Sequence, residues 1–129
     1  MAARERMPGE GKIVVVDDEL IVRETLARLV HVLTGYDVEC YSDAQPFLDQ
    51  LPATHVVAIL TDLQMPTRGE ELIRRVRAHD RQIPIIAVSG FATDEVTDRL
   101  LEMGADRVIR KPTRIDELEE VLSQFRLLH

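Results

Sequence analysis

The stretch Ile13-Val14-Val15-Val16-Asp17-Asp18-Glu19 decides how the chain is read. Four consecutive β-branched residues mark a strand buried on both faces, and an abrupt acidic run ends it. Apolar residues then fall at helical spacing: Val22, Leu26, Leu29, Val30 and Leu33, with Gly35 as the stop. The same cycle repeats four more times along the chain. A short strand is predicted over Asp37–Tyr41, followed by a helix capped by Asp43 that runs to Leu51. Val56–Leu60 is the next strand, ending in Thr61-Asp62, and after Met65-Pro66 and Gly69 a helix carries Leu72, Ile73 and Val76. Ile83–Val88 is a third buried strand, ending in Ser89-Gly90. Thr93 or Asp94 starts a helix that Gly104 closes. Arg107–Arg110 leads into Lys111-Pro112, and the last helix places Leu118, Val121, Leu122, Phe125 and Leu128 on one stripe.

Strand–helix alternation with buried strands predicts an open, parallel α/β sheet with helices on both faces. At 129 residues the chain is one domain with a sizeable core. Met1–Gly11 has no apolar cluster and is expected to be a flexible tail, with the folded domain over 12–129. Net charge is −7, which argues against nucleic acid as a direct partner. No apolar run approaches the ~18–20 residues of a membrane span, and no signal peptide is seen, so a cytoplasmic domain is expected. The single cysteine, Cys40, rules out an internal disulfide and is read as a core filler. His31, His55, His79 and His129 lack metal-ligand spacing and are assigned surface or helix-edge roles. Arg74, Arg75 and Arg77 read as a solvated helix face.

In such sheets ligands bind beyond the carboxyl ends of the strands. Those ends carry Asp17-Asp18, Asp62, Ser89 and Lys111. Each is ordinary alone, since an acidic residue before a helix also serves its dipole. Together they place three carboxylates, a hydroxyl and an ammonium in one cleft. The carboxylates repel unless a cation joins them, and an all-oxygen donor set suits Mg²⁺. A carboxylate beside Mg²⁺ is a competent nucleophile towards phosphorus. Lys111 and Ser89 can meet phosphoryl oxygens, and Lys111 is expected to find its full charge partner only when that group arrives.

The motifs V-V-V-D-D-E (Val14–Glu19), L-T-D-L-Q-M-P (Leu60–Pro66), A-V-S-G (Ala87–Gly90), G-A-D (Gly104–Asp106) and I-R-K-P (Ile109–Pro112) stand in this order. With them the chain resembles the receiver domain of bacterial two-component response regulators, from Lys12 to about Leu128. The resemblance implies a (βα)5 doubly wound fold with the flavodoxin-like strand order 2-1-3-4-5. It implies that Asp62 is the phosphoacceptor, fed by a histidine kinase or histidine phosphotransfer protein, with Mg²⁺ (or Mn²⁺) required. Asp18, Asp62 and the Gln64 carbonyl would hold the metal, and Asp17 would act on its bound water. Ser89 and Lys111 would contact the phosphoryl group, and Lys111-Pro112 is expected to be cis. Gln64 and Phe91 would border the phosphoryl group and set its lifetime. The family's usual aromatic three residues before the lysine is Val108 here, Gly69 comes one residue early, and Ser89 stands where threonine is frequent.

Two other readings compete. A nucleotide or flavin binder of the same topology needs a Gly/Ser/Thr-rich phosphate loop after the first strand, where this chain has acids. A degenerate receiver, acting only as an interaction module, lacks one of the key residues, and all are present. No output domain is recognised, so a stand-alone receiver and a receiver segment of a hybrid histidine kinase both fit.

Overall fold

A computed structural model describes residues 11–51, 55–64 and 68–129. Strands and helices alternate as β1 (Lys12–Val16), α1 (Leu20–Thr34), β2 (Asp37–Tyr41), α2 (Ala44–Gln50), β3 (Val56–Asp62), α3 (Gly69–His79), β4 (Ile85–Ser89), α4 (Asp94–Met103), β5 (Arg107–Arg110) and α5 (Ile115–Gln124). The strands form one parallel sheet in the order β2-β1-β3-β4-β5, as expected of the doubly wound fold. The expected tail and the Met65-Pro66 step lie outside the described residues, apart from Gly11.

Strand alternation splits the core into two layers. Val14, Val16, Ile59, Ile85 and Ala87 pack against Phe47, Leu72, Ile73, Val76 and Leu100 of α2, α3 and α4. Ile13, Val15, Leu60, Ile86, Val88 and Ile109 pack against Leu26, Val30, Leu118, Val121 and Leu122 of α1 and α5. Strands covered on both faces need apolar residues at every position, which is why their sequences read as continuous runs.

Register then decides what meets at the sheet's carboxyl edge. Val16 lies beside Thr61, so the next residues, Asp17 and Asp62, are neighbours across β1 and β3. Asp62 lies beside Val88, one residue before Ser89, and Ser89 lies beside Arg110, one residue before Lys111.

Several local expectations are corrected. β4 starts at Ile85 rather than Ile83. Pro84 has no N–H for a ladder, and its carbonyl instead accepts from Ile59 N–H at 2.9 Å. α5 ends at Gln124, and Arg126 takes a left-handed φ of 58°. That turn buries Leu127 and leaves Leu128 exposed, so Leu128 is off the predicted stripe. Cys40 is exposed rather than a core filler, because β2 is an edge strand only partly covered.

Arg77 is not part of a solvated face. Its guanidinium donates to the carbonyls of Gly104 (2.8 Å), Ile83 (2.6 Å) and Asp80 (3.2 Å) and pairs with the Asp106 carboxylate at 2.7 Å. Asp106 also accepts from Ile85 N–H at 2.8 Å, so one ion pair ties the ends of α3 and α4 to the starts of β4 and β5. Gly104, at φ 122°, admits the arginine stem: a Cβ there would lie 2.6 Å from Arg77 Cγ. The described histidine contacts are at helix edges, His31 with the Tyr36 carbonyl and His129 with the Val32 carbonyl.

Candidate functional site

β1 ends in the core, so Asp17 leaves it almost fully buried, at 2% exposure, while Asp18 lies one step further out in solvent. Both oxygens of Asp17 are engaged. Oδ1 accepts from Glu19 N–H at 2.9 Å, and Oδ2 pairs with Lys111 Nζ at 3.0 Å. The Glu19 contact turns the chain into α1, so the acidic residue does serve the helix start as well as the cleft.

Asp62 closes β3 with 6% exposure. Its Oδ1 accepts from Leu63 N–H at 2.8 Å and lies 3.4 Å from Lys111 Nζ. Burial raises the Asp62 pKa above its ordinary value; Lys111 opposes this and Asp17 adds to it. Burial pulls Lys111 down, but the hydrogen bond to Asp17 and the charges of both aspartates outweigh it, and its pKa ends raised. Lys111 therefore already has partners at rest, which corrects the expectation that it waits for one. The Lys111-Pro112 peptide is cis, as expected.

One oxygen from each of Asp17, Asp18 and Asp62 lies within 4.8 Å of the others. Three hard oxygen donors at that spacing, faced by one ammonium, fit a divalent cation of the Mg²⁺ kind. Asp18, Asp62, Gln64, Gly90, Phe91 and Lys111 line a cleft of 250 Å³. A neighbouring cleft of 560 Å³ shares Asp18, Gln64 and Phe91 with it and adds Ser89. Ser89 is buried at 4% and its Oγ accepts from Phe91 N–H at 3.0 Å, while the Phe91 ring is 68% exposed. Val108 is half-buried against the core layer on the α4 side of the sheet.

All six residues singled out from the sequence thus border this one region. Three further contacts were not foreseen. Thr61, fully buried, donates its hydroxyl to the Asp62 carbonyl at 2.8 Å. Gly69 packs so closely on the same carbonyl that a Cβ there would lie 2.5 Å from it. Arg23 donates to the Asp17 carbonyl. The early Gly69 was the only signal in the sequence for any of these.

The response regulator receiver domain model matches residues 13–123. The transcriptional regulatory protein FixJ of Bradyrhizobium diazoefficiens is 31% identical over 117 residues, covering 90% of this chain and 57% of that protein. The sensor histidine kinase RcsC of Escherichia coli is 33% identical over 114 residues, which are 88% of this chain but 12% of RcsC. The chain thus spans little more than half of one curated relative and a small part of the other. A receiver domain protein from Methanospirillum hungatei superposes with a TM-score of 0.80 at 26% identity, covering 91% of this chain and 94% of that one. Among the described residues no helix is long and apolar enough to cross a membrane. The match over residues 13–123, on a fold and a site of this form, identifies the chain as a member of the response regulator receiver domain family, a signalling domain of two-component systems.

Proposed function

We propose that Asp62 accepts a phosphoryl group from a phosphohistidine on a histidine kinase or phosphotransfer protein, in a reaction that needs Mg²⁺. The observation that carries this reading is Asp62 itself: a buried carboxylate at the carboxyl end of the central strand β3, beside a second buried carboxylate and a lysine. In the transfer an Asp62 oxygen forms a bond to phosphorus as the phosphorus–nitrogen bond to the donor imidazole breaks, and the electron pair leaves with the imidazole. Asp18, Asp62 and the Gln64 carbonyl would hold Mg²⁺, which would supply charge neutralisation at the phosphoryl oxygens. Lys111 moves from its aspartate partners to a phosphoryl oxygen. Ser89, whose oxygen accepts from Phe91 N–H at rest, donates its hydroxyl proton to another. Asp17, whose Oδ2 is released when Lys111 moves to the phosphoryl group, would act on a water of that ion rather than as a direct ligand. Two bordering groups set the loss of the phosphoryl group to water. Gln64 orients the attacking water and promotes it, while the Phe91 ring excludes water and slows it, and the ring dominates.

The test is intact-mass spectrometry after incubation with a small acyl phosphate and Mg²⁺. Wild type should gain one phosphoryl group, and Asp62→Asn or omission of the divalent ion should abolish the gain. Undiminished phosphate on Asp62→Asn would refute the assignment. The RcsC match favours a second arrangement on the same chemistry, in which the domain is a segment of a hybrid histidine kinase.

A further inference from the structure

Asp18 is the exposed member of the acidic trio, so the direction of its carboxylate depends on how the turn between β1 and α1 is held. Asp17 is anchored on both sides of its backbone. Its N–H donates to the Tyr41 carbonyl at 3.1 Å, and its carbonyl accepts from Arg23 Nη1 at 2.8 Å. Arg23 is half-buried on the first turn of α1, where its own N–H bonds the Glu19 carbonyl at 2.9 Å. The guanidinium thus reaches back over the turn and grips the peptide that joins Asp17 to Asp18. Rotation of that peptide would break the grip and swing Asp18 away from Asp62.

We propose that Arg23 is a positioning residue of the cation site, fixing the Asp17–Asp18 peptide so that Asp18 presents its carboxylate to the divalent ion. The proposal rests on the reading of the site as one that binds Mg²⁺. Charge alone predicts the opposite sign. An arginine near three carboxylates repels a cation, so its removal should strengthen binding if electrostatics were all it contributed. Groups that orient a metal ligand typically change affinity by about 10–100-fold when removed, enough to outweigh the lost repulsion of one screened charge. Lysine keeps the charge but lacks the rigid planar fork that reaches the carbonyl.

The experiment titrates Mg²⁺ into the full chain as wild type, Arg23→Met and Arg23→Lys, following the amide shifts of Asp17, Asp18 and Lys111. In parallel, the Mg²⁺ dependence of Asp62 phosphorylation by acetyl phosphate is measured. Arg23→Met should raise the Mg²⁺ dissociation constant about tenfold. The half-saturating Mg²⁺ for phosphorylation should rise by the same factor, with the limiting rate at saturating Mg²⁺ unchanged, and Arg23→Lys, which keeps the repelling charge without the reach, should rise at least as far. If Arg23→Met does not fold, Arg23→Gln takes its place. Equal or tighter Mg²⁺ binding without the guanidinium overturns the proposal. So does a fall in limiting rate with no change in half-saturation. A wild-type chain that binds no Mg²⁺ overturns the underlying reading of the site as well, which separates the two failures.

Discussion

Gly69→Ala tests whether the acceptor strand is held where the chemistry needs it. The added Cβ would lie 2.5 Å from the Asp62 carbonyl oxygen and 2.9 Å from Leu63 Cα, where ordinary contact begins at 3.4 Å. Both obstacles are backbone, so no side chain can swing aside and a gap of about 0.9 Å must open. Overpacking of this kind costs ~1–3 kcal/mol, whereas alanine for glycine within a helix recovers at most ~1 kcal/mol. The clash therefore wins, and a loss of roughly 1–2 kcal/mol corresponds to about 4–8 °C in Tm for a domain of this size. Asp62 moves with its carbonyl, and a misplacement of ~1 Å can slow a positioned reaction about a hundredfold. Thermal unfolding by circular dichroism and the rate of phosphorylation by acetyl phosphate measure the two effects. A Gly69→Ala chain at least as stable as wild type, phosphorylated at the wild-type rate, would show that the turn yields freely and that the close approach has no role.

Asp62→Asn should raise stability at neutral pH without divalent ions. The native Asp62 pKa is raised, so the folded state bears a penalty above that pKa which disappears as pH falls below the ordinary value of 3.8. The advantage of the variant in denaturant unfolding should therefore shrink towards acid pH; a gap that widened there would contradict the sign. Lys111→Ala should still bind Mg²⁺ but show no conformational response to beryllofluoride, and a wild-type spectral change would make Lys111 a bystander. Arg77→Met keeps the stem against Gly104 but removes the guanidinium. At ~1–3 kcal/mol for each buried group left unpaired, partly relieved by water, a loss near 3 kcal/mol and ~10 °C in Tm is expected, with phosphorylation at Asp62 unaffected. Ser89→Ala should leave phosphate acceptance at Asp62 while abolishing amide shift changes over Gly90–Thr93 with beryllofluoride.

The strands and the carboxyl edge that gathers the candidate site were legible because they answer to one signal, while the strand order came from the resemblance of the motifs. A strand buried on both faces must be apolar throughout, so the first polar residue after each run marks the carboxyl edge. Asp17 and Ser89 are such residues, Asp62 follows Thr61 by one, and Lys111 comes directly after Arg110 at the end of the edge strand β5. The features that escaped depend on contacts between residues far apart in sequence. Arg77 shares its helix with Arg74 and Arg75, and nothing local distinguishes it. What does is the carbonyls of Ile83 and Gly104 and the carboxylate of Asp106, which only the fold delivers. Cys40 looked buried because it alternates with Val38 in a strand, yet edge position overrides alternation. Leu127 and Leu128 exchanged places because the helix period was carried past the turn at Arg126.

The charge pattern of the cleft leaves one lysine to balance more negative charge than it carries. Three carboxylates face one ammonium, a surplus of negative charge, and burial foremost holds the Asp62 pKa above its ordinary value, with the charge of Asp17 adding to it. A divalent cation removes that surplus without removing a carboxylate. A phosphoryl group on Asp62 would bring it back, since it would convert a single charge into an acyl phosphate of higher charge. The mobile cation in the balance is Lys111, held between Asp17 and Asp62 at 3.0 and 3.4 Å and free to follow whichever oxygen carries more charge. Its backbone is not free to follow. Lys111 N–H is bonded to the Ser89 carbonyl at 2.9 Å, so the ammonium's new partner and the Ser89 hydroxyl's new partner pull on one connected pair of strands. With Val108 stiff at its first torsion and already packed against the core, the compliant element on that pair is the loop from Gly90, where a Cβ would meet nothing within 4 Å. If Asp62 is phosphorylated as proposed, the displacement is therefore expected to leave through Phe91 and the start of α4 rather than through the side chain of β5.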